Sequence, residues 1–382
     1  MVETRAQHRK RVTWHKVESA GDVFRDILSR LSVKSIRTAK TVNRYWHGSV
    51  SSKSFATEQL AQSRNKKPSS YIACPRVDSA MKLYLLKPGK SKFSFRHHAT
   101  VDPPGRTVDH HYMHMISSFN GLVCCINQLS DECEEDYQIW ICNPSTEETL
   151  LLPRGRPSLW TEPSIGVAYG PDVSEYKIFR IFSVGEKTYE CEVYSSGTGA
   201  WRSIGSVLHL PMYACFSPHR SGHVFAGGKI YWLVSLEDPG VILSVDMEER
   251  FGVVELPRYS TDLREEDGIT VGGTYLINMG GSLSLVVLHA DYFDVWVWKE
   301  EAGWVLVTRD DFPFMDDEIV LFVTSSEKEI LCVTGTHLWS YHFNTRKWKR
   351  KGRPPTRFVN PAVFPFTESL LPCNGGGRLE GR

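Results

Sequence analysis

The stretch "IWICNPSTEETLLLP", residues 139–153, decides the fold, because its form recurs along the chain. Two short β-rich runs flank a tight polar turn, which is the pattern of a β-hairpin. The same pattern occurs in "CEVYSSGTGAWRSI" (191–204), "ILSVDMEERFGVVELP" (242–257), "DVWVWKEEAGWVLV" (294–307) and "WSYHFNTRKWKRKG" (339–352). Aligning the turns at Asn143, Ser195, Asp246, Lys299 and Phe343 gives intervals of 52, 51, 53 and 44 residues.

Two further features extend this repeat. "LYLLKPGKSKFSF" (83–95), turning near Lys87, makes a weaker sixth copy. A glycine followed by a strand forms a second element, in "FNGLVCC" (119–125), "AGGKIYWL" (226–233), "MGGSLSLVV" (279–287) and "VTGTHLWSY" (333–341). A repeat of roughly 50 residues, each a small antiparallel sheet, is typical of kelch-type propeller blades.

We therefore predict an all-β domain that forms a six-bladed kelch-like β-propeller. "NPAVFPFTESLL" (360–371) is expected to supply a closing strand against the first blade. An orthogonal pair of β-sandwiches is the alternative, because the repeat is degenerate and does not fix the number of blades.

A small all-α domain of three short helices is expected before the β domain. Apolar residues recur there at helical spacing, on one helix at Val23, Phe24, Ile27, Leu28 and Leu31, and on a second at Val33, Ile36 and Ala39. Ser19 with Asp22, Ser32 and Asn43 are candidate N-caps of the three helices. The predicted organisation is a disordered basic tail (1–17), a helical domain (18–63), a linker (64–70), the propeller (71–371) and a disordered tail (372–382).

The overall composition argues against several function classes. With 45 basic and 44 acidic residues in 382, no global field favours a nucleic acid or membrane partner. The nine cysteines lack metal-ligand spacing, and no signal peptide is expected. Reduced thiols and a location in the cytoplasm and/or nucleus are therefore predicted.

The helical stretch resembles a known family. "DILSRLSVKSIRTAKTVNRYWHGSVSSKSF" (26–55) is similar to the plant F-box, and the match runs without gaps from Asp22 to Phe55. The β domain resembles the F-box-associated region of plant F-box proteins. The pieces that carry this second likeness are "SFNGLVC", "ICNPSTEETLLLP", "VAYGPDVSEYKIFRI", "EVYSSGTGAWRS", "GGKIYWL" and "ILSVDMEERFGVVELP".

The resemblance implies a division of labour between the two parts. An F-box docks on a Skp-type adaptor, which bridges to a cullin scaffold, while the propeller holds a target protein for ubiquitination. The residues expected to face the adaptor or to support that face are Ile27, Leu28, Leu31, Val33, Ile36, Val42 and Trp46. The alternative for each of them is a role in holding the helices to each other, because a helical apolar stripe often marks a core.

This sequence departs from the F-box pattern at several positions. Ser19 and Ala20 replace the usual Leu-Pro opening, Ser32 replaces a proline, Thr41 a cysteine and Ser49 a leucine. Serine can still cap a helix at these places. The lost apolar contact is about 1–3 kcal/mol per large side chain, enough to weaken adaptor binding roughly tenfold or more.

No motif indicates catalysis, a metal or a cofactor. His110, His111 and His114 lie in "VDHHYMHM" without a cysteine or carboxylate partner, and we assign them to a surface loop. "DECEED" (131–136) is expected to be a solvated hairpin tip, and "GKS" (89–91) lacks the upstream glycine of a phosphate loop. Cys373, in a Gly-rich tail, is expected to be inert. The chain is therefore predicted to be non-catalytic.

Three functions compete at this point. The favoured one is the substrate receptor of a ubiquitin ligase, the second a scaffold with a degenerate F-box, and the third a propeller enzyme or carbohydrate binder. The target and its binding site stay unassigned, although two long aromatic segments, 154–164 and 206–223, are candidate target loops.

Overall fold

A computed structural model describes most of the chain. The described residues are 21–64, 70–74, 81–89, 92–101, 113–131, 134–159, 161–170, 175–211, 222–235, 240–257, 273–289, 291–314, 320–326, 328–354 and 362–374. The predicted basic tail and the candidate cap Ser19 lie outside them.

Four short helices occupy residues 21–64, one more than predicted. They are α1 (Gly21–Ser29), α2 (Val33–Ala39), α3 (Arg44–Val50) and α4 (Lys53–Arg64). The predicted caps at Ser32 and Asn43 are confirmed: Ser35 N donates to Ser32 Oγ at 3.2 Å, and Trp46 N donates to Asn43 Oδ1 at 2.9 Å. Helix α4 was missed because its buried side chains form only a weak stripe, at Phe55, Ala56, Gln59 and Leu60.

Six antiparallel sheets follow, and they form the six blades of a β-propeller. From the centre outward, blade 1 contains β25 (Ala362–Phe366), β1 (Ser70–Cys74), β2 (Met81–Pro88) and β3 (Phe93–Val101). Blade 2 contains β4 (Met113–Phe119), β5 (Leu122–Asp131), β6 (Glu134–Asn143) and β7 (Glu148–Leu151), with β8 (Ser158–Leu159) paired to β6. Blade 3 contains β9 (Ser164–Tyr169), β10 (Tyr176–Gly185), β11 (Thr188–Ser195) and β12 (Ala200–Val207).

The remaining three blades repeat this arrangement. Blade 4 contains β13 (Val224–Ala226), β14 (Lys229–Ser235), β15 (Val241–Asp246) and β16 (Phe251–Glu255). Blade 5 contains β17 (Thr274–Met279), β18 (Ser282–Leu288), β19 (Tyr292–Lys299) and β20 (Gly303–Asp311). Blade 6 contains β21 (Val320–Ser326), β22 (Glu329–Thr334), β23 (Leu338–His342) and β24 (Lys347–Gly352).

The ring closes as the sequence predicted, because the last strand joins the first blade. β25 pairs antiparallel with β1, and Ser70 lies opposite Phe366. β25 also contacts β4 and β21, the innermost strands of the neighbouring blades, so it takes the innermost place in blade 1. The two ends of the domain are thereby held together by backbone hydrogen bonds.

The alternating hairpins give the propeller two different faces. One end of the propeller, which we call the turn face, carries two kinds of turn. These connect the innermost strand to the second and the third strand to the outermost. The other end of the propeller, which we call the loop face, carries the connections from the second strand to the third and from one blade to the next. All six predicted hairpins are confirmed as the turn between the third and the outermost strand.

The predicted glycine element, a glycine between two strands, is confirmed in all four cases, but it does not always mark the same turn of a blade. Asn120–Gly121, Gly227–Gly228 and Gly280–Gly281 join innermost to second strands, all with positive φ. "VTGTHLWSY" instead lies between β22 and β23, the second and third strands of blade 6.

Tryptophans next to the predicted hairpins tie neighbouring blades together. Each one donates its indole N–H to a backbone carbonyl in the blade before it. The pairs are Trp201 to Pro153 (2.7 Å), Trp304 to Glu255 (2.7 Å) and Trp348 to Asp311 (3.0 Å). The aromatic that follows the turn is therefore part of the contact between blades.

Replacing Gly166 by alanine is expected to destabilise the contact between blades 3 and 4. A Cβ at Gly166 would lie 2.2 Å from Trp232 Cζ2 and 2.8 Å from a methyl carbon of Ile230, both buried. Overpacking of this kind costs about 1–3 kcal/mol, which denaturant unfolding would measure. Gly48→Ala is the matched control, because nothing lies within 4 Å of a Cβ there; an equal loss in both variants would contradict the prediction.

Candidate functional site

The four helices share one small apolar core. Its buried members come from every helix and are Phe24, Leu28, Val33, Ile36, Val50, Phe55, Ala56 and Leu60. Leu31 and Trp46 pack against it from the edge. The Trp46 ring meets Phe24 edge-on, with centroids 5.1 Å apart, so it packs α3 against α1.

The seven residues predicted to face or support the adaptor separate into two groups. Leu28, Val33 and Ile36 are buried and can only support a binding surface, while Leu31 and Trp46 are partly buried at the edge of the core. Ile27 and Val42 are 42% and 57% exposed and can contact a partner directly. Leu28, Val33 and Ile36 therefore hold the helices to each other, and Ile27 and Val42 are left exposed.

Two further exposed apolar side chains were not assigned to the site from the sequence. Val23 is 56% exposed and Tyr45 is 45% exposed. Val23 lies one turn before Ile27 on α1, so the two side chains are neighbours. Val23 could have been assigned to the site from the sequence, because helical periodicity places it one turn from Ile27 on the same face.

The position of α4 shows which flank of α1 is open. Arg25 points from α1 to α4, where its guanidinium donates to Glu58 Oε1 at 2.7 Å and to Ser54 Oγ at 2.9 Å. Val23 and Ile27 lie on the other flank, because they are offset from Arg25 by about half a helical turn. Tyr45 of α3 packs its ring 5.4 Å from the Phe24 ring.

The helices rest on the turn face of blade 2. Arg37 of α2 donates to the Ser145 carbonyl at 3.2 Å and to Glu147 Oε1 at 2.9 Å, and Arg64 of α4 donates to Asn120 Oδ1. Partial burial lowers the pKa of Arg64. Both contacts reach turns of the same blade, so this end of the propeller carries the helices.

Glu147 occupies a turn position that other blades use to bind their neighbours. Glu249 in blade 4 and Arg346 in blade 6 take the same left-handed backbone conformation. Glu249 pairs with Lys177 of blade 3 at 2.7 Å, and Arg346 pairs with Asp310 of blade 5 at 3.0 Å. In blade 2 the partner is Arg37, so the helical domain uses a contact that elsewhere joins two blades.

The candidate target loops both belong to the loop face, at the opposite end from the helices. Segment 154–164 joins blades 2 and 3, and segment 206–223 joins blades 3 and 4. Residue 160 and residues 212–221 lie outside the described part of the chain. The first loop is held in place where it is described: Arg156 N donates to Glu192 Oε1 at 3.1 Å, and Ser183 N donates to Ser158 Oγ at 2.9 Å.

The acidic stretch 131–136 lies where β5 turns into β6, as predicted for a hairpin, but its last residue, Asp136, is not solvated. Asp136 lies in β6 and accepts a hydrogen bond of 2.5 Å from Arg180, which is fully buried in blade 3. Burial raises the pKa of Asp136, while Arg180 opposes that rise. This carboxylate therefore belongs to a contact between blades 2 and 3, and not to a metal site.

The other candidate chemical groups are placed as follows. His114 lies in the innermost strand β4, and His110 and His111 lie outside the described residues. Among the residues that the structure describes, no three histidine, cysteine or acidic side chains are grouped to hold a metal ion. No helix in this part of the chain is long and apolar enough to cross a membrane.

Cys373, which the sequence placed in a disordered tail, is fully buried between blades 2 and 3. The ordered C-terminal part of the chain thus extends past the predicted boundary at residue 371. Burial raises the pKa of its thiol, as it raises the pKa of Cys191 to about 12. Both thiols are held in their protonated, weakly nucleophilic form.

Comparison with known proteins identifies relatives over nearly the whole chain. F-box protein At5g49610 of Arabidopsis thaliana is 26% identical over 398 residues, covering 92% of this chain and 97% of the relative. Putative F-box protein At3g17620 of the same plant is 25% identical, covering 94% and 96%. Among solved structures, a lectin of Aleuria aurantia aligns over 76% of this chain and 97% of its own, with 10% identity and a TM-score of 0.43, too distant to inform function.

The family model described as "F-box associated beta propeller domain" matches residues 71–344. This range begins within β1 and ends in the last hairpin of blade 6, so it coincides with the propeller. The helices before it fit an F-box. The chain thus belongs to the family of plant F-box proteins that carry an F-box-associated β-propeller.

Proposed function

We propose that this chain is the substrate-recognition subunit of a Skp–cullin–F-box ubiquitin ligase. Its helices bind the Skp-type adaptor and, through it, the cullin, and its propeller binds a target protein. The observation that carries the proposal is the exposure of Val23, Ile27, Val42 and Tyr45 on helices that precede a propeller of this family. Apolar side chains exposed together on one small domain mark a protein contact.

The loop face is the proposed site of the target. The helices use the turn face of blade 2, through Arg37 and Arg64. A target on the loop face would leave the adaptor surface free, so the same chain could hold both partners. Loops at this end can vary without disturbing the sheets, and segment 154–159 is already fixed by hydrogen bonds to β10 and β11.

The mechanism is one of proximity. The receptor raises the effective concentration of target lysines near an activated ubiquitin, and other subunits perform the transfer. We infer that the chain itself is not an enzyme, uses no cofactor, binds neither nucleic acid nor membrane, and works in the cytoplasm and/or nucleus. A kelch-type origin of the blades is part of the same proposal.

The experiment that tests the proposal is capture of a purified plant Skp-type adaptor by the purified full-length chain. A one-to-one complex by size-exclusion chromatography, with a dissociation constant of micromolar or tighter, is the expected result. A correctly folded chain that captures no adaptor would overturn the proposal. The scaffold function would then lead, because Ser32 and other departures from the F-box pattern remove apolar contact.

A further inference from the structure

The segment that follows the closing strand joins the helices to the propeller. Residues 367–374, which we call the C-terminal clasp, leave β25 at the turn face. Because Phe366 lies opposite Ser70, the clasp begins beside the first residue of the propeller. The clasp belongs to none of the six sheets, and its side chains divide between the two domains.

One side of the clasp completes the core of the helical domain. Leu370 and Leu371 are 9% and 1% exposed and pack among the buried side chains of the helices, together with Phe24, Leu28 and Ile36. Burying one leucine contributes about 1.5–3 kcal/mol. A helical domain of some forty residues has little other apolar area, so two leucines from the chain's far end are a substantial part of its core.

The other side of the clasp is fastened to blade 2 by a buried amide. Asn143 Nδ2 donates to the carbonyls of Ser369 and Leu371, at 3.1 and 2.8 Å. Its Oδ1 accepts from Ser145 N at 2.9 Å, within the hairpin turn. Asn143 is fully buried, so one side chain holds both the turn and the clasp.

Further contacts hold the clasp at Ser369 and at Cys373. Ser369 Oγ donates to the Asn120 carbonyl at 2.7 Å, and a Cβ on Gly121 would lie 2.3 Å from the same Oγ. Cys373 N donates to Glu148 Oε1 at 2.9 Å, and the Tyr176 hydroxyl donates to the Cys373 carbonyl at 2.7 Å. The backbone is thus held at residues 369, 371 and 373.

We propose that the clasp fixes the orientation of the adaptor-binding helices relative to the loop face. The inference rests on the proposed function, since it gives Asn143, Leu370 and Leu371 a positioning role in ubiquitin transfer. Apart from the clasp, the described contacts from helices to propeller include the polar ones of Arg37 and Arg64. The Arg37–Glu147 ion pair is exposed, and the Arg64–Asn120 hydrogen bond is partly buried. Both depend on long, flexible side chains, whereas Leu370 and Leu371 remove apolar area from water.

The test measures orientation and not only stability. Donor and acceptor dyes are placed by non-canonical amino acids at Ala61 on α4 and Lys299 on blade 5, both exposed. Single-molecule energy transfer is recorded on the full-length chain, free and bound to the Skp-type adaptor. The wild type is expected to give one narrow distance distribution in both states.

Two variants release the clasp from opposite sides. Leu370→Ala with Leu371→Ala loosens it from the helices. Asn143→Asp keeps the acceptor for the turn but removes both hydrogen bonds donated to the clasp. In each variant the distance distribution is expected to broaden by about 10 Å, the span of a flexible chain of five residues. Five residues separate Arg64 of α4 from Ser70 of β1. Bound adaptor keeps the helices folded in these variants. Leu371→Met, which keeps an apolar side chain of similar size, should leave the distribution as narrow as in the wild type.

The outcomes separate this inference from the proposed function. Leu208→Ala is the control, because Leu208 is 89% exposed, and it should leave the distribution narrow. A narrow distribution in both clasp variants would overturn the inference. Failure of the wild type to bind the adaptor would overturn the proposed function instead. The free Asn143→Asp variant, which keeps both leucines of the helical core, would still report whether the clasp fixes the helices.

Discussion

Placing aspartate at both Val23 and Ile27 is expected to abolish measurable adaptor binding while the chain stays folded. Both side chains are already in solvent, 56% and 42% exposed, so the free chain loses no core contact. In the complex, two apolar contacts of about 1–3 kcal/mol each are lost, and two carboxylates lose water. The affinity should fall by about a hundredfold or more, as measured by isothermal titration calorimetry.

A matched pair of substitutions on the propeller controls for the added charge. Val253 and Leu306 lie on the outermost strands β16 and β20 and are 56% and 40% exposed. Val253→Asp with Leu306→Asp should leave adaptor affinity unchanged. If this control pair weakens binding as much as the helix pair does, the adaptor does not bind at α1. Circular dichroism of all variants verifies that each is folded.

Ile27 and Leu28 show where the sequence stops being informative about this site. Both fit the same apolar stripe, and from the stripe alone each could face a partner or a core. The packing of α3 and α4 against α1 decides the matter, leaving Ile27 exposed and Leu28 buried. Leu28→Asp would therefore unfold the helices and could not test adaptor binding.

The propeller could be predicted because each of its hairpins is visible in a short stretch of sequence. Each hairpin contains its own turn residues, so Asn143 or Asp246 marks a turn without knowledge of the rest of the chain. Counting the repeats predicted six blades, which the structure confirms. A glycine marks a turn but not which of a blade's turns it is, and Gly335 lies between the second and third strands of blade 6.

The clasp and the buried ion pairs could not be predicted, because they join residues far apart in sequence. Leu371 looks like the end of a strand region, and only the folded chain shows that it packs on Leu28 and its neighbours. Arg180 sits inside "YKIFRIF", where a β-strand with one exposed basic residue is the ordinary expectation. Its partner Asp136 precedes it by 44 residues.

Replacing Arg180 by methionine is expected to lower the free energy of unfolding by about 3–5 kcal/mol. The guanidinium is fully buried and binds Asp136 Oδ1 at 2.5 Å and Glu192 Oε1 at 2.8 Å. Methionine fills similar volume but removes the guanidinium that both carboxylates bind. Urea unfolding followed by tryptophan fluorescence measures the loss. Arg250→Met is the control, because Arg250 is 75% exposed and solvent screens its pair with Asp246, so the free energy of unfolding should change far less.

The stability lost in Arg180→Met should also depend on pH. The direction of that dependence shows whether Arg180 stabilises the fold through its charge or through its packing. Burial already raises the pKa of Asp136 in the wild type, and Arg180 opposes that rise. Without Arg180 the folded-state pKa rises further above the unfolded value, so the penalty is full at neutral pH and shrinks as the carboxyl protonates on acidification. Adding Glu192→Gln should recover part of the stability at pH 7. A loss that is equal at pH 5 and pH 7, and that Glu192→Gln does not relieve, would mean that Arg180 acts through its packing on Phe182 and not through its charge.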